Sequence, residues 1–220
     1  MLMRTNLPDP ASYDISQIED WVPFQSRLED RIAHYDGELG AKRAAHHMRV
    51  AADGLGFLMH IGYPMEACLN IKSALLIHDL GKTHEAYDPD IWRLPNRPTE
   101  EQRIEKRLHT RRGVEIFNKA VAGTSFENHL HADLCRAIIL YHHECLNGSL
   151  YENFTDLPIW LQVVSIVDTY DGDRVRRPHH ERRRSPQETI ARMMAEGDDG
   201  EKYEGAFDHD LMEQFAEYKL

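Results

Sequence analysis

The chain has 220 residues, 41% of them hydrophobic and 29% charged, which is typical of a single globular domain with a real apolar core. Its formal net charge of -11 argues against a surface that coats a nucleic acid polymer, because such surfaces are basic. The three cysteines show no CxxC spacing and indicate neither a disulfide framework nor a thiolate zinc site. No apolar run is long enough to span a membrane. We therefore expect a cytoplasmic protein with no membrane or nucleic acid partner, whose oligomeric state stays open.

Residues 1–14 form an irregular lead-in, and from residue 16 onward apolar residues recur at helical intervals. Pro64 is well placed to open a helix, and Gly81 to end it as a C-cap. The first 37 residues are expected to form an N-terminal extension with one helix, and residues 38–220 the main domain. The first three helices are predicted over residues 16–35, 38–60 and 64–81.

The second half of the chain continues the helical pattern after a loop that contains three prolines, at residues 88–98. Thr99 with Gln102 predicts a capping box, and Ser185 followed by Pro186 predicts an N-cap and a first helical residue. No alternating strand pattern of useful length is present, so the fold class predicted is all-α. Further helices are predicted over residues 99–122, 129–145, 157–171, 185–196 and 208–219.

The sharpest local motif is His78-Asp79-Leu80-Gly81-Lys82, which is predicted to lie at the end of the third helix. An imidazole beside a carboxylate provides mixed nitrogen and oxygen ligation, which suits Fe, Mn, Ni or Zn. A carboxylate can also bridge two ions with its two oxygens, and Lys82 places a cation where a phosphate would lie. Taken alone, the doublet is equally compatible with the capping and solvation of a helix end.

Four other helices also carry histidine or aspartate at apolar positions. His142 and His143 follow a mainly apolar run, and Asp168 lies near the end of a very apolar helix. A carboxylate in a core needs a cation or several donors, because its desolvation is otherwise costly. His46 and His109, each taken alone, are more typical of surface or core histidines. Five helices that carry such residues together are typical of a metal site in a bundle core.

The order of these motifs resembles that of the HD superfamily of metal-dependent phosphohydrolases, and within it the HD-GYP branch of cyclic-dinucleotide phosphodiesterases. The resemblance covers roughly residues 38–216 and implies an HD-domain helical bundle with a buried metal centre. The matching stretches are HxxRVA at 46–51, HDLGK at 78–82, the helix with His109, YHHE at 141–144 and IVDTYD at 166–171.

The resemblance also implies a binuclear centre, in which Fe or Mn is expected first and Ni or Zn is possible. Some relatives use a glutamate four residues before the first histidine for a third ion, and Lys42 at that position indicates two ions here. Carried over by position, one ion is held by His46, His78, Asp79 and Asp168, and the other by Asp79, His109, His142 and His143.

Three residues are expected to act on the substrate. Asp79 and Lys82 are the predicted catalytic residues, and Lys82 resembles the family's phosphate-binding lysine. Arg177 falls where the family places a cationic contact to the substrate. The other arginines between residues 174 and 184 either draw in an anionic substrate or pair with acids in a solvated loop, which is the favoured interpretation.

The chain departs from the HD-GYP pattern in the loop that follows YHHE. Leu150 replaces the glycine before Tyr151, and Glu152 replaces the proline after it. Because this loop lies beside the metals in the family, the change bears on the substrate more than on the chemistry. An acidic side chain at 152 is also expected to disfavour a dianionic ligand nearby.

Three functions are compatible with these residues. The first is a phosphodiesterase that hydrolyses a cyclic dinucleotide such as cyclic di-GMP. The second is a phosphohydrolase of nucleotide monophosphates or other small phosphoesters. The third is a non-catalytic HD signalling module, whose usual mark is loss of metal ligands. Since all seven expected ligands are present, an enzyme is predicted.

Overall fold

The protein is described by a computed structural model over residues 7–92, 98–148, 151–175, 182–195 and 203–220. Within these ranges the fold is all-α, as predicted, and contains three short 3-10 helices at Ile15–Gln17, Leu80–Thr83 and Pro89–Trp92. The α-helices of these ranges are α1 (Trp21–His34), α2 (Glu38–His60), α3 (Met65–Leu75), α4 (Glu100–Arg107), α5 (His109–Val121), α6 (Leu130–Tyr141), α7 (Ile159–Arg174), α8 (Pro186–Met193) and α9 (His209–Lys219).

The predicted capping box of α4 and the predicted N-cap of α8 are both confirmed, and the cap of α8 is also a capping box. The Thr99 hydroxyl accepts a hydrogen bond from the backbone N–H of Gln102, whose side chain accepts one from the N–H of Thr99. Ser185 and Glu188 form the same reciprocal pair, with Pro186 as the first helical residue. Each box satisfies backbone donors that have no partner inside the helix.

Three helix bounds differ from the prediction at predicted ligands. One is the end of α6, which lies at Tyr141 rather than at residue 145, so His142 and His143 follow the helix. The helix predicted over 99–122 is divided at Leu108 into α4 and α5, so His109 is the first residue of α5 rather than a mid-helix residue. The carbonyl of Lys106 there accepts a hydrogen bond from the His109 ring. Helix α3 ends at Leu75, and residues 76–79 form turns. The His78–Asp79 doublet therefore lies on the connection after α3, not at the helix end.

Gly81 is not the C-cap that the sequence suggested, because it lies in a 3-10 helix six residues after α3 ends. Its function is close packing against α5. A Cβ atom on Gly81 would lie 1.7 Å from the carbonyl oxygen of His109 and 2.5 Å from the backbone nitrogen of Gly113. Only a glycine permits this backbone crossing, and the crossing brings the His78–Asp79 doublet next to His109.

The apolar core runs through the bundle and takes side chains from both ends of the chain. Trp21 and Ile32 of α1, Phe57 of α2 and Phe215 of α9 are each 1% exposed or less and belong to one cluster. The domain boundary proposed at residue 38 stays a prediction, although α1 shares this core. Over the described ranges, none of the helices combines the length and the apolarity needed to cross a membrane.

Candidate metal centre

The seven predicted ligands converge in one place inside the bundle. They come from α2, from the connection after α3, from the start of α5, from the end of α6 and from α7. Most are deeply buried: His78, His109 and His142 are 0% exposed and Asp79 is 1% exposed. The structure thus brings these side chains together, and that they bind metal ions stays a prediction.

Asp79 lies between two groups of imidazoles and turns one carboxylate oxygen to each. Its Oδ1 lies 3.1 Å from Nε2 of His109 and 3.5 Å from Nε2 of His142. Its Oδ2 lies 3.7 Å from Nε2 of His78 and 3.9 Å from Nε2 of His46. A carboxylate in this position is able to bridge two ions, one bound at each oxygen.

The donor atoms form two compact sets that share Asp79. Asp168 lies against both: its Oδ1 is 3.1 Å from His46 Nε2 and 3.4 Å from His78 Nε2, and its Oδ2 is 3.2 Å from His143 Nδ1. The first set consists of His46, His78 and Asp79, and the second of Asp79, His109, His142 and His143. Within each set the ligand atoms lie within 4.8 Å of one another.

Three of the imidazoles are held in the same tautomer by the backbone. Their Nδ1 atoms lie within hydrogen-bond distance of carbonyl oxygens, which only accept, so Nδ1 carries the proton and Nε2 keeps its lone pair. This is how a protein orients a metal-ligating histidine. The pairs are His78 with Leu75 at 2.7 Å, His109 with Lys106 at 2.6 Å, and His142 with Ile138 at 3.0 Å.

His46 is oriented by a carboxylate that sequence reasoning missed. Its Nδ1 lies 2.7 Å from Oδ2 of Asp171, and Arg49 holds the same carboxylate through two hydrogen bonds of 2.6 and 2.9 Å. Burial lowers the pKa of His46, but hydrogen bonds from its ring to Asp168 and Asp171 raise that pKa to about 9. The missed signal was helical spacing: Arg49 follows His46, and Asp171 follows Asp168, by one helical turn.

The protonation states of the other groups suit metal binding, which requires ionised carboxylates and neutral imidazoles. Burial raises the pKa of Asp79, but the neighbouring Lys82 ammonium and His78 outweigh burial and hold that pKa well below its ordinary value. Burial lowers the pKa of His109 to about 4. At neutral pH the Asp79 carboxylate is therefore charged and His109 is neutral.

Several buried nitrogen and oxygen atoms of the cluster lack a hydrogen-bond partner within the described ranges. They include Nε2 of His78, Oδ1 of Asp79 and Nε2 of His143. A buried polar atom without a partner costs about 1–3 kcal/mol, and these residues belong to the two sets whose ligand atoms lie within 4.8 Å of one another. Divalent cations would satisfy them, so these residues fit a two-metal centre.

Comparison with known proteins identifies the fold in which these residues converge. No protein-family model matches the sequence, and no curated protein matches it. Among solved structures, the L. monocytogenes phosphodiesterase PgpH HD domain in complex with cyclic-di-AMP has a TM-score of 0.56 and 16% sequence identity, over 87% of this chain and 92% of that one. The fold is that of an HD domain.

A second structure of the same PgpH HD domain gives a TM-score of 0.52 and 17% identity, over 87% of this chain and 94% of that chain. The likeness therefore extends over most of both chains, and at this identity it concerns the fold alone. The narrower assignment to the HD-GYP branch stays a prediction.

The loop after α6 lies against the predicted ligands His109 and His143. The ring of Tyr151 stacks on His143 at a centroid distance of 4.6 Å and meets His109 edge-on at 5.9 Å. The carboxylate of Glu144 holds the loop by accepting hydrogen bonds from the backbone N–H groups of residues 152 and 154, at 2.7 and 2.9 Å. The predicted GYP position thus does adjoin the centre.

The acidic residue in this loop is not an isolated charge. Both carboxylate oxygens of Glu152 accept hydrogen bonds from Arg111, at 2.7 and 2.9 Å. The repulsion of an anionic ligand that the sequence suggested is therefore offset by an arginine at the same place.

Of the two residues predicted to contact substrate, one lies in the centre. Lys82 is buried, and its ammonium contacts Oδ2 of Asp79. Arg177 lies outside the described residues. Elsewhere in the arginine-rich segment, Arg182 pairs with Glu188 at 2.8 Å and Arg184 lies 3.4 Å from Asp173, as the interpretation of a paired, solvated loop predicts.

Proposed function

We propose that this HD domain is a metal-dependent phosphodiesterase whose substrate is a cyclic dinucleotide. The observation that carries the proposal is the position of Asp79, with one oxygen toward His109 and His142 and the other toward His46 and His78. The substrate class is supported by the fold likeness to the PgpH HD domain in complex with cyclic-di-AMP and by the order of the sequence motifs.

Two divalent cations in such a centre lower the pKa of a water molecule and neutralise charge on the phosphoryl oxygens. The protein supplies the remaining groups. Lys82 carries a positive charge beside Asp79, where it stabilises the phosphoryl oxygens or protonates the leaving oxygen. The buried setting strengthens these interactions, because charges attract more strongly where water is excluded.

We expect two ions per chain, with Fe or Mn preferred. Imidazole and carboxylate donors suit both metals. The position that would support a third ion is occupied by Lys42, whose side chain is 69% exposed and pairs with Glu38 at 2.7 Å across one helical turn. Lys42 therefore points to solvent and adds no ligand to the centre.

The decisive experiment combines metal analysis with a substrate panel. The purified protein is loaded with Mn²⁺ or, without oxygen, with Fe²⁺, and its metal content is measured. It is then incubated with cyclic di-GMP, cyclic-di-AMP and a nucleoside monophosphate. Two ions per chain and linear or mononucleotide products from a cyclic dinucleotide are expected. The variant Asp79→Asn should lose turnover by at least about 10²–10³-fold, as when a key electrostatic group leaves an active site.

The other outcomes assign the other functions. Hydrolysis of the monophosphate alone would keep the reaction class and replace the substrate class. A chain that cannot be loaded with either metal would contradict the proposal and favour a signalling module. Undiminished hydrolysis by Asp79→Asn would exclude the two-metal mechanism.

A further inference from the structure

A fifth side chain reaches the first metal position, and neither the sequence motifs nor the HD-GYP resemblance assigns it a function. We propose that His47 is an additional imidazole ligand of the ion held by His46, His78, Asp79 and Asp168, an inference that rests on the proposed function. His47 is 2% exposed, and its Nε2 lies 3.8 Å from Oδ2 of Asp79. The corresponding distances from His46 and His78 to the same oxygen are 3.9 and 3.7 Å.

His47 is held in the same tautomer as His78, His109 and His142. Its Nδ1 lies 3.0 Å from the carbonyl oxygen of Leu76, which only accepts, so Nδ1 carries the proton and Nε2 keeps its lone pair. The same arrangement orients His78 on the carbonyl of Leu75. The neighbouring carbonyls of Leu75 and Leu76 thus fix the tautomers of two imidazoles whose Nε2 atoms lie near one carboxylate oxygen.

The Nε2 atom of His47 is buried and has no hydrogen-bond partner in the part of the chain that the structure describes. A structural histidine of this kind would leave an acceptor unsatisfied, at a cost of about 1–3 kcal/mol. A cation bound by both Nε2 of His47 and Oδ2 of Asp79, which lie 3.8 Å apart, would remove that cost.

The distance between His47 Nε2 and Asp79 Oδ2 suits a shared ion. Donor atoms that each lie about 2.1 Å from one cation are about 3 Å apart at right angles and about 4.2 Å apart on opposite sides. The 3.8 Å between His47 Nε2 and Asp79 Oδ2 falls between these limits. Successive residues of a helix differ by about 100°, so His46 and His47 approach the oxygen from different directions.

This assignment makes the two metal positions unequal. With one atom from each residue, the first ion would have five protein donors, of which those of His46, His78 and Asp79 lie within 4.8 Å of one another, and the second would have the four of Asp79, His109, His142 and His143. The first ion should therefore bind more tightly and leave fewer positions for substrate. Without His47, the difference between the two positions should largely disappear.

The test uses Co²⁺, whose visible absorption reports the number and type of its ligands. Wild type and His47→Gln are titrated with Co²⁺, with circular dichroism as the check that each is folded. In His47→Gln we expect at least about tenfold weaker binding of the tighter ion, with a changed absorption spectrum. In His47→Ala, added imidazole should restore the spectrum, a rescue that a purely structural histidine would not show.

His131→Gln is the matched control. His131 is 0% exposed, but its ring nitrogens lie 3.0 Å from the Tyr13 hydroxyl and 3.3 Å from the Ser73 hydroxyl, so this variant removes a buried imidazole that has partners. Its Co²⁺ titration should match that of the wild type. Unchanged Co²⁺ affinity and spectrum in folded His47→Gln and His47→Ala would overturn the assignment. A wild type that binds no Co²⁺ would instead contradict the proposed function itself.

Discussion

The candidate metal centre and the network around His131 are two buried clusters built on fully buried histidines, and they differ in whether their polar atoms have hydrogen-bond partners. In the network, the Tyr13 hydroxyl lies 3.0 Å from His131, whose other nitrogen lies 3.3 Å from Ser73. The indole N–H of Trp21 donates to Ser73 at 3.0 Å and to Gln25 at 2.8 Å. In the candidate centre, by contrast, His47, His78, Asp79 and His143 each have a buried atom for which the described residues provide no hydrogen-bond partner.

This difference separates a structural cluster from a ligand site. The network joins the N-terminal segment, α1, α3 and α6 with neutral groups, and burial lowers the pKa of His131 to about 3, so the ring stays neutral. The centre concentrates two ionised carboxylates and inward-facing lone pairs, an arrangement that is costly unless a cation binds. Ligands should thus act on the centre, and stability should depend on the network.

The largest expected effect is metal-induced stabilisation. At 100 times its Kd an ion adds about 2.7 kcal/mol, so two ions add about 5 kcal/mol and raise Tm by about 10–20 °C. Calorimetry with Mn²⁺ or with a chelator measures this shift. Asp79→Asn should lose most of it. Asp173→Asn should keep it, because Asp173 is buried in contact with Arg192, outside the centre. Equal shifts in both variants would break the distinction between a ligand site and a structural site.

The second prediction concerns the network alone. His131→Ala leaves a cavity and deprives Tyr13 and Ser73 of a partner, and should lower the free energy of unfolding by about 2–4 kcal/mol. Urea denaturation measures this loss, and metal analysis should find an unchanged metal content. A stable variant that had lost its metal would show that the two clusters are coupled.

The third prediction uses the pKa of His131, which falls from an ordinary 6.5 to about 3 on folding. Since the unfolded chain binds the proton more readily, the stability that His131 contributes is present above pH 6.5 and is lost as pH falls toward 3. Between pH 6 and 4, metal-free wild type should lose about 1.4 kcal/mol per pH unit more than His131→Gln. Urea titrations at several pH values measure the difference, and parallel pH profiles would contradict it.

The smallest expected effect comes from the carboxylate behind His46. Asp171→Asn keeps the shape of the side chain but weakens the hydrogen bond that orients the His46 imidazole. It should lower the affinity for the first ion by about tenfold. Glu188→Gln, which changes a surface pair with Arg182, should leave the affinity unchanged. Mn²⁺ titration of both variants decides whether Asp171 acts on the centre or only anchors Arg49.

The residues of the candidate centre could be predicted where they form recognisable sequence motifs, and not where only a tertiary contact marks them. The seven converging residues were predicted because His78 and Asp79 form a recognisable doublet, and because the other motifs occur with it in a familiar order. Asp171 was missed although it lies one turn from Asp168. His47 was missed because a histidine next to a predicted ligand has no distinctive spacing. Its significance depends on the carbonyl of Leu76, which no sequence pattern locates.

The sequence by itself determined the helical class, the caps at Thr99 and Ser185, and the residue types that can ligate a metal. These follow from local periodicity and from the chemistry of single side chains, which neighbouring residues largely decide. Only the tertiary structure decided that α5 crosses Gly81 and that the oxygens of Asp79 face different imidazoles. It also decided that both ring nitrogens of His131 have partners, while Nε2 of His47 has none among the described residues. Those facts depend on packing angles and distances between helices far apart in the chain, which local pattern does not encode.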